Sequence, residues 1–267
     1  MPTDKIRTIA VTERIPLNSF QRSWELTHIE RVTKRKARHY VVNGKEMPSV
    51  TTVLGRVWPK PALYNWYAKR GREAMAEYLG EHLGEPIEHG ILENAVAEAK
   101  LRPKTDAQEA ADLGSAAHDL ISRELRGETV VVPAELKAVM EAYHKWYAEE
   151  DLELLDTETA VYSEQPLAHA GTIDALFRRK DGSYLLVDWK TSKAIYDEAE
   201  VQVHAYREAI MNSVSGDCHM DGQVIRLGKE VPDFEVKVID DYKCRLTNLW
   251  QTALGFYHAL EASKNGV

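Results

Sequence analysis

Two aspartates and a lysine stand in a stretch of the chain whose other side chains are mostly apolar. The segment GTIDALFRRKDGSYLLVDWKTSK, residues 171–193, contains Asp174, Asp188 and Lys190 among isoleucine, leucine, valine and tryptophan. A charged group that is buried without a partner costs free energy. The segment therefore indicates chemistry that needs charge in a partly buried place.

The spacing of these residues predicts that their side chains converge. If residues 180–182 form a three-residue turn with Gly182 in the left-handed conformation, cross-strand partners have residue numbers that sum to about 362. Asp174 then faces Asp188, and Lys190 lies two residues further along the same face. Opposed carboxylates repel each other unless a cation such as Mg²⁺ or Mn²⁺ binds between them. The hairpin alone leaves two interpretations open: a metal site beside Lys190, or a structural salt bridge between Asp174 and Lys190 with Asp188 facing solvent.

Hydrophobic periodicity predicts helices in the first half of the chain and a mixture of strands and helices in the second. Residues 39–57 predict a strand, an Asn-Gly turn and a short element that leads into a Ser- or Thr-capped helix. Apolar residues spaced by three and four predict helices over 62–83, about 91–101, 105–125 and 133–151. From residue 157 the period becomes two, which predicts strands over 157–164, 171–179 and 183–191. The remaining predicted elements are a helix over 197–214, a hairpin over 220–228 and 234–240, and a C-terminal helix over 241–263. This order predicts an α/β fold with a mixed sheet flanked by helices.

Length and composition exclude several classes of protein. At 267 residues, 44% hydrophobic and 28% charged, the chain can bury one large core or a core with a subdomain. No apolar run reaches the ~20 residues of a membrane helix and no signal peptide begins the chain, so a cytoplasmic protein without membrane partners is expected. The two cysteines, Cys218 and Cys244, are too few for a disulfide framework or an iron–sulfur cluster held by protein thiolates.

The charge is distributed unevenly along the chain. The net charge is -8, yet residues 1–75 contain fifteen Lys and Arg against six Asp and Glu. The densest basic segment is RVTKRKARHY, residues 31–40. This asymmetry predicts a basic face together with an acidic site, although a solvated strand or loop also explains a basic run.

The motifs resemble those of the PD-(D/E)XK nuclease superfamily, in which an acid at the end of one strand precedes acid-x-lysine on the next. Here these are Asp174 and DWK at 188–190. The chain is most similar to the RecB-like branch, including mitochondrial genome maintenance exonucleases and phage-type exonucleases. That branch adds a helical histidine four residues after a small residue, matched by GSAAH and His118, and a Gln-x-x-x-Tyr helix, matched by QVHAY. The segments MPSVTTVL and PALYNW also resemble the N-terminal region of the mitochondrial-type members, so the matched features span residues 47–206.

This resemblance implies a restriction-endonuclease-like core over residues 105–267, preceded by a basic, mainly helical region over 1–104 that guides DNA. It also implies roles for individual residues. The metal ligands would be Asp174, Asp188, the Trp189 carbonyl and His118, with Glu164 as a further ligand or an ion-pair partner. Lys190 would position or activate the attacking water, and Gln202 and Tyr206 would steady the lysine or the DNA backbone.

Residues of the N-terminal region are further candidates for contacts with nucleic acid. Ser49, Thr51 and Thr52 would offer hydroxyls to phosphates, and Trp66, Lys69 and Arg70 would stack on and guide a single strand. A helix cap and a packed indole are the structural alternatives for Ser49 and Trp66.

The function implied by the resemblance is that of a DNA exonuclease dependent on Mg²⁺ or Mn²⁺. It would act on single strands or duplex ends in recombination, repair or replication, in the cytoplasm of a bacterial or phage-infected cell. A recombinase or single-strand annealing protein would be a plausible partner. The alternatives are a structure-specific or restriction-like endonuclease, and a DNA-binding recombination partner without turnover.

Overall fold

The computed structural model describes residues 7–8, 29–34, 37–86, 88–212, 219–241 and 244–264. The chain divides into a core unit, residues 1–58 and 117–267, and a helical unit, residues 59–116. Cys218 and part of the basic segment 31–40 lie outside the described residues.

The strands are β1 (Arg7–Thr8), β2 (Ile29–Lys34), β3 (Ala37–Val42), β4 (Lys45–Pro48), β5 (Leu152–Ser163), β6 (His169–Arg179), β7 (Tyr184–Lys190), β8 (Met220–Leu227) and β9 (Phe234–Ile239). The helices are α1 (Val50–Val57), α2 (Pro61–Glu81), α3 (His89–Leu125), α4 (Lys137–Glu149), α5 (Asp197–Met211) and α6 (Arg245–Lys264), with a 3-10 turn at Ala134–Leu136. No helix within these ranges is both long enough and apolar enough to cross a membrane.

Strands β5 to β9 form a five-stranded sheet in chain order. Strands β7 and β8 are parallel, the other neighbours are antiparallel, and α5 makes the crossover that a parallel pair needs. Leu176, Leu186 and Trp250 belong to the core formed with α5 and α6 on one face. On the other face, Trp146 of α4 packs edge to face on Trp189, with ring centroids 5.0 Å apart. Both faces are covered, which explains why β6 and β7 are almost continuously buried. The predicted α/β class with a mixed sheet flanked by helices is confirmed, and it is consistent with a restriction-endonuclease-like core.

A second, four-stranded antiparallel sheet, β1 to β4, belongs to the same core unit. Asn43 and Gly44 join β3 to β4 with φ angles of 49° and 81°, the left-handed conformations that a two-residue Asn-Gly turn requires. This sheet packs on β5 and β6 through a cluster of buried side chains: Ile29, Tyr40, Val42 and Met47 with Ala160 and Ala170. The region over residues 1–104 that the sequence predicts as mainly helical therefore also contains a sheet, of which the sequence predicts the strand and the Asn-Gly turn after residue 39 but not β2. Charged residues interrupt the apolar alternation of β2, so the pattern does not show the strand.

The helical unit contains α2 and the first part of α3. The sequence predicts two helices over 91–101 and 105–125, but α3 runs through Pro103 without a break. At Gly71 the two helices approach so closely that an added Cβ would lie 2.8 Å from the Ala99 carbonyl oxygen. The predicted boundary at residues 104 and 105 therefore differs from the observed division, because a continuous helix crosses it.

Candidate active site

The β6–β7 hairpin has the register that the sequence predicts. Its pairs run from Arg178↔Tyr184 to Ala175↔Val187, and Gly182 in the turn has a φ of 86°. Because the pairing ends at Ala175↔Val187, the two aspartates lie where the strands separate. We refer to residues 171–174 and 188–190 as the open end of the hairpin, and to residues 178–184 as its turn end.

At the open end, where β6 and β7 no longer pair through their backbones, the Asp174 side chain bonds to the β7 backbone instead. Its Oδ2 accepts a hydrogen bond from the Trp189 backbone N–H at 2.8 Å, and its Oδ1 lies 3.2 Å from His118 Nδ1. Burial acts to raise the pKa of Asp174 and to lower that of His118, but opposing effects outweigh it in sum: the attraction between the two groups, and for Asp174 also Lys190 and the Trp189 N–H. The pKa of Asp174 is lowered and that of His118 is raised to about 9. Without a cation the two side chains therefore form an ion pair at neutral pH, and a cation that binds through the His118 nitrogen would displace its proton.

Asp188 is 2% exposed and is held by two side chains. Gln202 Nε2 donates to its Oδ1 at 2.8 Å, and Lys190 Nζ lies 2.5 Å from its Oδ2. Burial, together with Asp174, raises the pKa of Asp188 to about 6, partly offset by Lys190. Burial lowers the pKa of Lys190, but Asp188 and Asp174 outweigh it and raise that pKa, so the lysine keeps its proton. The sequence left open a salt bridge between Asp174 and Lys190 with Asp188 facing solvent. The structure instead pairs Lys190 with Asp188, which is buried.

Gln202 and Tyr206 lie one turn apart on α5 and contact each other, as their spacing predicts. Gln202 Nε2 donates to the Tyr206 hydroxyl at 3.2 Å as well as to Asp188. Burial raises the pKa of Tyr206 well above its ordinary value, so the hydroxyl stays neutral. The Tyr206 ring lies against Gly171, where an added Cβ would be 2.2 Å from Tyr206 Cε1. The glycine at the start of the motif therefore makes room for the tyrosine that holds Gln202.

Glu158 belongs to the site, although no motif in the sequence points to it. The pairs Thr157↔Ala175 and Thr159↔Ile173 put Glu158 on β5 opposite Asp174. Glu158 has a φ of 55°, a left-handed conformation that costs a non-glycine residue about 1–3 kcal/mol and is concentrated at functional sites. Burial and the charge of Asp174 raise its pKa.

The ligand atoms of His118, Glu158 and Asp174 all lie within 4.8 Å of one another. Carboxylate oxygens suit Mg²⁺ and Mn²⁺, and the imidazole nitrogen favours Mn²⁺ over Mg²⁺. Asp188 Oδ2 is buried and receives no hydrogen bond of good geometry, although the Lys190 ammonium is close to it. The side chains of His118, Glu158, Asp174 and Asp188 together therefore fit a divalent cation.

The structure does not bring Glu164 into this group. Glu164 is exposed and follows the last residue of β5. It lies six residues beyond Glu158, about 20 Å along an extended strand. Glu158, in the middle of the same strand, is the acid of β5 that lies beside Asp174 and His118. The role of the Trp189 carbonyl stays a prediction.

The hydroxyls of Ser49, Thr51 and Thr52 form a helix cap. Ser49 Oγ accepts from the Thr52 backbone N–H at 3.0 Å and donates to Thr52 Oγ1 at 2.8 Å. Thr52 Oγ1 in turn donates to the Arg38 carbonyl at 2.7 Å, and Thr51 Oγ1 is 3.1 Å from Ser49 Oγ. This network accounts for the three side chains as the cap of α1, and their contact with phosphate stays a prediction.

Trp66, Lys69 and Arg70 belong to the helical unit. Trp66 packs edge to face on Tyr67 at 5.2 Å, and Lys69 Nζ lies 3.6 Å from Glu73. Arg70 forms ion pairs with Asp106 at 2.5 Å, Glu77 at 3.2 Å and Glu73 at 3.5 Å. Lys69 and Arg70 are therefore paired with acidic side chains. The contacts with DNA predicted for Trp66, Lys69 and Arg70 have no support beyond the sequence.

Comparisons with known proteins give matches only to solved structures. No family model and no curated protein sequence matches this chain. The chain is similar to the structure titled SSO0001, at 15% identity over 66% of this chain and 83% of that chain, with a TM-score of 0.32. It is also similar to an alkaline exonuclease, LHK-Exo, from Laribacter hongkongensis, at 14% identity over 75% of this chain and 93% of that chain, with a TM-score of 0.35. At scores of this size the function has to be argued from the geometry of the site.

Proposed function

We propose that this protein is a deoxyribonuclease that hydrolyses phosphodiester bonds with the help of Mg²⁺ or Mn²⁺. The observation that supports the proposal is a group of buried and half-buried charges at the open end of the hairpin and on the elements beside it: Asp174, Asp188 and Lys190 with His118 and Glu158. Apolar side chains of similar volume would stabilise a fold at least as well as buried ion pairs. The resemblance to RecB-like nucleases supplies DNA as the substrate class.

His118, Glu158 and Asp174 would hold the cation, with Asp188 and the Trp189 carbonyl as further oxygen donors. A cation held there would act as a Lewis acid, lowering the pKa of water and offsetting negative charge on the phosphoryl oxygens.

Lys190 supplies a fixed positive charge beside these acids. Its ammonium keeps its proton and lies 2.5 Å from Asp188, so it can orient a water molecule or stabilise charge that develops on the phosphoryl oxygens. Gln202 donates to the other oxygen of Asp188 and so orients the carboxylate that holds the lysine. Gln202 and Tyr206 are therefore positioning residues.

Substitutions at the open end test whether this site carries out the reaction. Asp188→Asn keeps the shape of the side chain but removes its charge, and Lys190→Gln removes the ammonium. Each should slow DNA cleavage in Mg²⁺ or Mn²⁺ by about 100-fold or more. The control is Lys180→Gln at the turn end, where the lysine is 78% exposed and pairs with Asp151. Unchanged cleavage by Asp188→Asn would show that the site is assigned wrongly.

Calorimetric titration with Mn²⁺ tests the metal site without DNA. Glu158→Gln should weaken Mn²⁺ binding by at least about 10-fold, because a charged ligand is replaced by a neutral one. Glu153→Gln, a substitution of an exposed glutamate on the same strand, should leave it unchanged. Equal affinities of the wild type and Glu158→Gln would remove Glu158 from the ligand set.

We favour an exonuclease, following the resemblance. An end-labelled linear DNA should be degraded while a closed circle stays intact. Cutting of the circle would indicate the endonuclease alternative, and binding without cleavage would indicate the recombination-partner alternative. Action on single strands or duplex ends, and a recombinase or annealing partner, belong to the same proposal.

A further inference from the structure

The ribbon formed by β2 and β3, residues 29–34 and 37–42, carries two arginines that the proposed reaction does not yet use. Its register pairs Arg31 with Tyr40 and Thr33 with Arg38. Partners across antiparallel strands, and alternate residues within a strand, point to the same face. Arg31, Arg38 and Tyr40 therefore share one face of the ribbon.

This face points toward the open end of the hairpin. Tyr40 is buried in the cluster that includes Ala160 of β5 and Ala170 of β6. Its hydroxyl shares a hydrogen bond of 2.7 Å with Thr172 Oγ1, two residues from Asp174. The ribbon is thus fixed to β6 beside the acids of the candidate site, with the arginines adjacent to that contact.

Electrostatic effects agree with this position. The positive charge of Arg31 lowers the pKa of Glu158, and that of Arg38 lowers the pKa of Tyr206, in both cases against the larger effect of burial. Each guanidinium is therefore close enough to act on a residue of the site, Arg31 on Glu158 of β5 and Arg38 on Tyr206 of α5.

Neither guanidinium is occupied by an acid within the part of the chain that the structure describes: no carboxylate lies within 4.0 Å of Arg31 or Arg38. Arg126, which also acts on Glu158, donates instead to the Thr157 carbonyl at 3.1 Å. Arg31 is half-buried and Arg38 is exposed, so both can reach a ligand from solvent. A guanidinium presents a planar set of donors that matches phosphate oxygens.

We propose that Arg31 and Arg38 form a phosphate clamp, which binds the backbone phosphate next to the scissile one and so sets the register of the DNA strand. This inference rests on the proposed function and adds a substrate subsite to it. A simple alternative is that the arginines only balance the negative charge of Glu158, Asp174 and Asp188. The two explanations differ in one respect: only the clamp requires a charged phosphate at one position of the DNA.

The test uses oligonucleotides in which one phosphodiester at a time is replaced by a neutral methylphosphonate. For the wild type, the neutral linkage next to the cleaved bond should lower kcat/KM by about 10- to 100-fold, the effect of losing charge-assisted hydrogen bonds. Arg31→Gln with Arg38→Gln should lower kcat/KM on ordinary DNA by a similar factor, mainly through KM. The neutral linkage should then cost this double variant no more than about twofold, because the partner of the phosphate is already absent.

Two further variants control for charge and for folding. Arg178→Gln removes an arginine at the turn end, where Arg178 pairs with Glu153 at 2.6 Å, and should respond to the neutral linkage as the wild type does. Arg31→Lys with Arg38→Lys keeps the charges but loses the planar donors, and should give an intermediate loss. Equal sensitivity of the wild type and the double glutamine variant to the neutral linkage would overturn the clamp.

A binding measurement separates failure of the clamp from failure of the proposed function. In Ca²⁺, fluorescence anisotropy of a labelled oligonucleotide should show a salt dependence of log K that is less steep by about one unit per arginine removed. If the wild type binds DNA without cutting it, the proposed hydrolysis fails, and the slopes still decide the clamp. If the wild type neither binds nor cuts DNA, both proposals fail. If it cuts DNA and the slopes are equal, only the clamp fails.

Discussion

The two ends of the β6–β7 hairpin differ in how far their charged side chains are exposed to solvent. At the turn end, Arg178 pairs with a Glu153 side chain that is 60% exposed, and the strand ladder is complete. At the open end the ladder has stopped, and Asp188 is 2% exposed. Exposed ion pairs contribute little to stability, whereas buried charges are expensive and persist where they have a use. The turn end of the hairpin is therefore a structural region, and the open end is a candidate functional one.

The largest effect that distinguishes the two ends should come from Asp174→Asn. The amide cannot supply the negative charge that faces His118, so cleavage should fall by about 1000-fold, somewhat more than for the loss of one stabilising donor. Asp221→Asn, which breaks a pair with Arg179 near the turn end, should change cleavage by less than about twofold. Initial rates on end-labelled DNA measure both. Similar losses for the two variants would remove the distinction between the ends.

His204 is a buried titratable group outside the site, and its pKa contrasts with that of His118. It is 4% exposed, and burial lowers its pKa to about 4 despite the attraction of Asp241. The unfolded chain, with a histidine pKa near 6.5, therefore binds more protons than the folded protein between those values. The stability associated with neutral His204 is present above pH ~6.5 and should fall by up to about 3 kcal/mol as the pH drops toward 4.

Urea unfolding at a series of pH values measures this dependence. His204→Gln should make the free energy of unfolding less dependent on pH than in the wild type. If the two curves are parallel between pH ~6.5 and ~4, His204 is not the group responsible.

Gly171→Ala should disturb the open end through packing alone. The new Cβ would lie 2.2 Å from the Tyr206 ring, so the ring must move and its contact with Gln202 must change. Thermal unfolding should show a loss of about 1–3 kcal/mol, and cleavage should fall as well. Gly55→Ala meets no atom within 4 Å in α1 and should stabilise the protein by about 0.5–1 kcal/mol. Adding Tyr206→Leu to Gly171→Ala should recover part of the stability. Without such recovery, the clash is not the cause.

The smallest effect should come from Arg178→Gln at the turn end. The Arg178 side chain is 27% exposed, and its ion pair with Glu153 is screened by solvent. The free energy of unfolding should change by less than about 1 kcal/mol, without loss of cleavage. A larger loss in urea unfolding would mean that the turn end contributes more than an exposed pair does.

Predictions from the sequence succeeded where the geometry is local. The turn at Gly182 sets the hairpin register, and the spacing of Gln202 and Tyr206 on one helix sets their contact. Glu158 was missed because the connection between β5 and β6 is not a short turn with a countable register. The strand β2 was missed because its charged residues hide the apolar alternation.

The sequence by itself determined the elements and pairings that depend on neighbours along the chain: the hairpin, the Asn-Gly turn, the cap at Ser49 and the spacing on α5. Only the tertiary structure decided that Lys190 pairs with Asp188, that Glu158 faces Asp174, and that Arg31 lies on the face of the ribbon turned toward them. The physical reason is that backbone geometry fixes periodicity and turn length within a segment, whereas contacts between distant segments depend on how the whole core packs.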